Sequence, residues 1–337
     1  MRDITDLRRR TLAAIALFAG LALITCLVAP LIGGTPVNLS RVLDTTVPFS
    51  DNVDAQIFFI ARLPRVLAAA VVGCGLAVSG VVFQALLRNP LASPDTLGVS
   101  AGASLGAMLA ITWRADFTFL GISAVPLAGF AGSLGAMAIV LGLSVARRRG
   151  AGTTVLLLAG VALTALISAI VRFVQFLADA TGTLQTARWL MGSLDVGSYA
   201  AIAAALVPMA AALIGMATRP RVLDLISVGA ESAAARGVDV ERAERLALVC
   251  ASLSTGAAVS LAGPVAFVGI VVPHVVRLLA GADHRVVLPA SGFFGAAFLV
   301  ACDVVARTMF APVELPVGVV TAIIGGPFFL WLLFHQA

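Results

Sequence analysis

The fold class this sequence predicts is all-α: a polytopic membrane bundle of about ten helices. Three observations predict it. The chain is 60% apolar and 12% charged, whereas soluble domains run at about 45–50% apolar and about 25% charged. Its apolar residues fall into repeated runs of about 20 residues, the length that carries a helix across the hydrocarbon of a bilayer. The charges separating the runs are mostly arginine clusters, the pattern that fixes membrane topology.

Taken in order, the spans are predicted near Thr11 to Ile32, Pro64 to Leu87, Leu97 to Trp113, Ile122 to Ala146, Thr153 to Leu177, Tyr199 to Ala217, Ala243 to Ala262, Val265 to Ala280, Val286 to Val305 and Val317 to Phe334. The first follows Arg8-Arg9-Arg10 and is too long for a signal-peptide core, so it reads as a retained span. The third and eighth are short. Short or Gly/Pro-interrupted spans need protein neighbours to cover their backbone, which predicts that these two lie inside the bundle. The 32 glycines predict close packing of helices through small residues. Gly75-Leu76-Ala77-Val78-Ser79-Gly80 echoes Gly256-Ala257-Ala258-Val259-Ser260 in a span of opposite direction, as an inverted repeat would, and chance recurrence of small residues accounts for it equally well.

With the N-terminus cytoplasmic, the inside segments hold Arg2, Arg8 to Arg10, Arg88, Arg147 to Arg149, Arg219, Arg221, Arg236, Arg242, Arg245, Arg277 and Arg285, which is 15 of the 22 arginines. The positive-inside bias therefore predicts both termini in the cytoplasm. One inside loop, about 219–242, is long and polar enough for structure of its own. It reads as two short helices, with helix formers over Asp224 to Arg236 and a stop at Gly237 before Val238-Asp239 opens the next helix. The outside loop from Gly33 to Ala61 carries Asp44, Asp51 and Asp54 without clear periodicity. The whole chain is expected to be one transmembrane domain.

Several chemistries are excluded. The scattered arginines are not a nucleic-acid footprint. Cys26, Cys74, Cys250 and Cys302 each sit in an apolar run, without a CxxC pair or a histidine at metal-ligand spacing, and read as small buried thiols. His274, His284 and His335 read as helix-end polar residues. A phosphate-binding loop of the GxxxxGK[ST] type needs a lysine, and this chain has none. Energy from ATP must come from a partner, and the chain is expected to be no enzyme and to hold no cofactor or metal.

Arg62-Leu63-Pro64-Arg65 opens the second span on the outer side, against the positive-inside trend, and Arg307 ends the ninth there. Such arginines are either headgroup anchors or a dock for an acidic partner surface. Asp303 and Arg307 are four apart on one helix face, a spacing that pairs them.

Farther along run Gln84-Ala85-Leu86-Leu87-Arg88-Asn89-Pro90-Leu91-Ala92 and Ser93-Pro94-Asp95-Thr96-Leu97-Gly98-Val99-Ser100-Ala101-Gly102-Ala103. Later come Gly269-Ile270-Val271-Val272-Pro273-His274-Val275-Val276-Arg277-Leu278, Gly281-Ala282-Asp283-His284-Arg285 and Glu314-Leu315-Pro316-Val317-Gly318-Val319-Val320-Thr321. With the RLPR opening, this order of motifs from about Gln56 to Leu333 resembles the FecCD-type permeases, the membrane subunits of ABC importers for ferric siderophores, haem and cobalamin.

The resemblance implies a cobalamin-importer-permease-like bundle of ten helices. It implies as partners a second permease subunit, identical or paralogous, two cytoplasmic ABC ATPase subunits, and a periplasmic or lipid-anchored solute-binding protein. It places the chain in the bacterial cytoplasmic (inner) membrane. By matching motifs, Arg62, Arg65 and Arg307 would meet glutamates of the binding protein. Asp224, Ser227, Val228, Gly229, Glu231, Ala235, Arg236 and Gly237 would form the coupling segment on the ATPase. Gln84, Asn89, Pro90, Ser100, Gly102, Arg172 and Gln175 are the candidates for the translocation path, and Arg172 and Gln175 would stand at its mouth.

The function expected is import of a metal chelate, first a ferric siderophore, with haem and cobalamin as alternatives. A secondary transporter driven by an ion gradient would need acidic or histidine groups in mid-span, and little beyond Asp303 is offered. A membrane enzyme would need paired catalytic groups, which the sequence lacks.

Overall fold

The structure is a computed structural model and describes residues 2–146, 153–196 and 198–336; the Arg147 to Arg149 cluster lies outside them. Among the described residues the chain forms fifteen α-helices. They are α1 (Arg2–Val28), α2 (Leu39–Val42), α3 (Val53–Gln56), α4 (Leu63–Leu87), α5 (Val99–Thr112), α6 (Ala124–Ala146), α7 (Thr153–Leu177), α8 (Ala180–Leu190), α9 (Tyr199–Ala217), α10 (Pro220–Val228), α11 (Ala230–Ala235), α12 (Val240–Ala262), α13 (Val268–Ala280), α14 (His284–Thr308) and α15 (Val317–Gln336). Eight of them are long and apolar enough to cross a membrane, and α5 and α13 are the two shorter apolar helices. These ten correspond, one for one, to the ten spans predicted from sequence.

Three helices, α4, α12 and α14, run through the middle and bury most of their length, while α1, α6, α7, α9 and α15 bury about a third of theirs or less. The central helices approach closely because glycines face one another. A Cβ at Gly80 would overlap the Gly269 carbonyl of α13, and one at Gly73 would overlap the Gly295 carbonyl of α14. Such backbone approach is how helices gain packing energy where lipid supplies no hydrophobic drive. The short α5 and α13 bury one or more faces, α5 against α6 and α7 and α13 against α4 and α14. The two segments that echo each other in sequence belong to neighbouring antiparallel helices. Ser79 Oγ donates to Ala251 O at 3.1 Å and Ser254 Oγ to Gly75 O at 3.3 Å.

Contacts between helix ends show which of the spans share an end of the bundle. Arg62 touches the end of α1 and Arg307 does the same, Tyr199 Oη donates to Phe59 O, and Leu315 N donates to Ala306 O at 2.9 Å. The end of α1, the starts of α4, α9 and α15 and the end of α14 therefore share one end of the bundle, called here the arginine end. The segment α10–α11 and the start of α14 lie at the opposite, loop end, with the start of α1.

Three features of the arginine end escaped the sequence reading. The loop 33–61 contains α2 and α3, capped by Asn38 and Asn52. A π-helical turn, Ile57–Arg62, feeds directly into α4. The helix α8 follows α7, its first turn capped by Asp179 Oδ1, which accepts from Gly182 N at 2.8 Å. That N–H and the Arg114 guanidinium hold the Asp179 carboxyl below the ordinary carboxylate range.

Candidate functional sites at the two ends of the bundle

At the arginine end the π-turn sets the registry with which α4 begins. Leu63 and Pro64 open α4; Leu63 N–H bonds back to Phe58 O, whereas Pro64 brings no N–H to the preceding turn, in which Phe59 O accepts from Tyr199 Oη. Arg62 turns back onto α1: its Nη1 donates to Pro30 O at 3.1 Å and Leu31 O at 3.4 Å, and its Nη2 donates to Thr35 O. Arg307 Nη2 donates to Ala29 O at 2.7 Å. Two guanidinium groups thus bind carbonyls of the 3-10 turn Ala29–Leu31, which continues α1, and Arg62 also binds the loop carbonyl of Thr35. Both residues are more than nine-tenths buried, at 7% and 6% exposure. Beside the anchoring or docking roles expected for arginines at this end, Arg62 and Arg307 have an internal duty that no local spacing reveals.

Arg65 points the other way. Its Nε donates to Asp303 Oδ1 at 2.7 Å, and its Nη1 pairs with Glu314. Asp303 is fully buried, and its Oδ2 lies 3.4 Å from Arg307 Nε, so the predicted pairing four residues apart is present. One carboxylate therefore serves two arginines on two helices. Three guanidiniums and two carboxylates line or support a cavity of about 520 Å³, whose wall includes Thr35, Arg62, Arg65, Arg307 and Glu314. The positive charges outnumber the negative by one, and Arg307 Nη1 has no hydrogen-bond partner among the described residues.

At the loop end α10 and α11 form two short helices, as predicted, but the break falls at Gly229 inside the helix-forming run. Its φ of 153° suits only glycine. Leu223, Ile226 and Ala233 are buried and fasten the pair to the bundle. Val228, Glu231, Ala235, Arg236 and Gly237 are exposed and form the outward face. Asp224 and Ser227 are not on that face. Asp224 Oδ1 accepts from His284 N at 3.1 Å and sits 2.6 Å from His284 Nδ1, while Ser227 Oγ donates to Asp224 O at 2.7 Å. The carboxylate of one helix thus helps to cap the N-terminus of α14. His284, read from sequence as an ordinary helix-end residue, is the other half of this fastening.

The path candidates separate into two groups. Gln84 is buried and donates from Nε2 to Gly269 O at 3.0 Å, and Ser100 is buried near the start of α5. Gly102 is spent on packing, since a Cβ there would press on Gly132 O. Asn89 accepts from Leu91 N at 2.9 Å, shaping a turn beside the exposed Pro90. Arg172 is exposed and Gln175 half-buried on α7, among exposed Phe173 and Phe176. An arginine on so apolar a helix face calls for water, protein or headgroups beside it.

The sequence from residue 21 to 335 matches the model of the FecCD transport family. The chain belongs to the FecCD transport family. This FecCD protein is 41% identical over 285 residues to the hemin transport system permease protein of Yersinia pestis, covering 83% of this chain and 84% of that one. It is 43% identical over 274 residues to the cobalamin import system permease protein of Halobacterium salinarum, covering 81% and 72%. A solved metal-chelate type ABC transporter in an inward-facing conformation shares the fold with a TM-score of 0.82 at 30% identity, covering 96% of this chain and 99% of that chain. The FecCD protein is thus a multi-pass membrane permease of the ABC importer type, and ATP hydrolysis lies in separate subunits.

Proposed function

We propose that this FecCD permease passes a metal chelate, a ferric siderophore first, from a solute-binding protein at its arginine end to the cytoplasm. Separate ATPases at the loop end would drive the transfer. The observation that carries this reading is the polarity of the bundle: a guanidinium-lined cavity at one end and a short, exposed helical pair fastened to α14 at the other. The arginine end is then the outer face, and the start of α1 and the end of α15 are cytoplasmic. A second permease subunit, identical or paralogous, completes the path along the exposed faces, with Arg172 and Gln175 at its mouth.

In this reading Arg65 is the arginine that meets the binding protein, with Arg62 and Arg307 holding the cavity's shape and field. Exposed ion pairs steer and orient a partner more than they tighten it. Arg65→Glu, in protein shown to be folded by a cooperative unfolding transition, should slow association of the binding protein about tenfold or more and flatten its salt dependence. Association kinetics identical to the native chain would contradict the docking role.

Haem and cobalamin are the second and third cargoes to test, because two of the relatives are hemin and cobalamin permeases. Competition in uptake assays among a labelled ferric siderophore, haem and cobalamin separates them. Uptake of iron chelate that excess haem or cobalamin leaves untouched supports the first cargo, and saturable uptake of one of the others replaces it.

A further inference from the structure

Of the two carboxylates on the arginine cluster, only one can exchange. Asp303 is fully buried between α4 and α14 and serves both Arg65 and Arg307. Glu314 differs in every respect. Its side chain is 55% exposed, and it lies on the segment joining α14 to α15, between Val313, whose N–H bonds to Phe310 O, and Leu315, whose N–H bonds to Ala306 O. It reaches the outward N–H group of Arg65, at the wall of the cavity that Arg307 also lines. Arg65 is only 14% exposed and stays fixed by Asp303, so the Glu314 carboxylate is the member of the pair that solvent reaches and that another carboxylate can replace.

We propose that Glu314 is an intramolecular occupant of the carboxylate site on Arg65, displaced when an acidic side chain of a docking protein enters the cavity. The inference rests on the docking role of Arg65 and adds that the site is already filled before docking. Docking then exchanges one carboxylate for another and keeps the Arg65 charge paired. Arg307, at the wall of the same cavity, adds its positive charge to the site that the incoming group enters. Glu314 is three residues before α15, whose Gly318 packs on the carbonyls of Met191 and Pro264.

The test uses the full chain in nanodiscs and a fluorescein-labelled hexaglutamate peptide as the acidic probe, with binding followed by anisotropy at several salt concentrations. Because Arg65 also pairs with buried Asp303, Arg65→Glu is compared only as protein with a cooperative unfolding transition; it should weaken binding about tenfold, and Glu314→Gln should strengthen it about three- to tenfold by removing the competitor. Glu314→Asp should bind close to the native chain. In the double variant the gain should vanish, because it needs Arg65. If Arg65→Glu changes nothing, the docking role itself fails. Should Arg65→Glu weaken binding while Glu314→Gln leaves it unchanged or weaker, docking survives and the competitor is disproved. A gain from Glu314→Gln that persists with Arg65→Glu would be a general effect of net charge and would likewise overturn the proposal.

Discussion

Asp303 is the residue on which the arginine end is built. A fully buried carboxylate flanked by Arg65 and Arg307 offsets its own desolvation only while both partners remain, and removing one member of such a group costs about 3–5 kcal/mol. Asp303→Asn should therefore lower the thermal unfolding midpoint in detergent clearly, whereas Glu314→Gln should leave it nearly unchanged, because Glu314 is 55% exposed and Arg65 keeps Asp303 as its partner. Equal midpoints for Asp303→Asn and the native chain would contradict this account. The Asp303–Arg307 pair was legible in the sequence as a spacing of four. Arg65 as its other partner was not, since 238 residues separate Arg65 from Asp303 and no local period joins them. The bonds from Arg62 and Arg307 to the turn that follows α1 were hidden for the same reason.

Among the elements, the spans were the most legible, because about 20 apolar residues between charges is a signal of composition and length alone. The shortness of α5 and α13 also predicted their place inside the bundle, where neighbours cover their ends. The α10–α11 pair was legible as helices but not in its break, since Gly229 sits within a helix-forming run and only the structure shows its φ of 153°. Its fastening was invisible too. Asp224 bonds to His284 across 60 residues. Asp224→Ala should loosen α10 from α14, seen as faster hydrogen exchange over 220–228 with little change in α12. Exchange equal to the native chain there would show that Leu223 and Ile226 hold the helix without Asp224. Glu231→Ala with Arg236→Ala, on the exposed face, should instead spare the bundle and lower co-purification of the ATPase. Normal assembly and normal coupled turnover would remove the coupling role.

At the scale of the whole molecule, the absence of lysine from the sequence and the matching of residues 21–335 to the FecCD family describe a membrane path whose motor is elsewhere. The architecture supports this division: polar groups that could bind partners gather at the two ends, and the middle is small-residue packing around α4, α12 and α14. The cargo is the part least written in the chain, because a path for a bulky chelate needs apolar, adaptable walls more than fixed ligands. The most direct measurement is chelate uptake into sealed proteoliposomes containing the permease, its ATPase subunits and the binding protein, with 55Fe-labelled siderophore as the first cargo and haem and cobalamin alongside. The account predicts accumulation of one of these chelates that requires both ATP and the ATPase. Accumulation that persists without them, driven by an ion gradient, would contradict it.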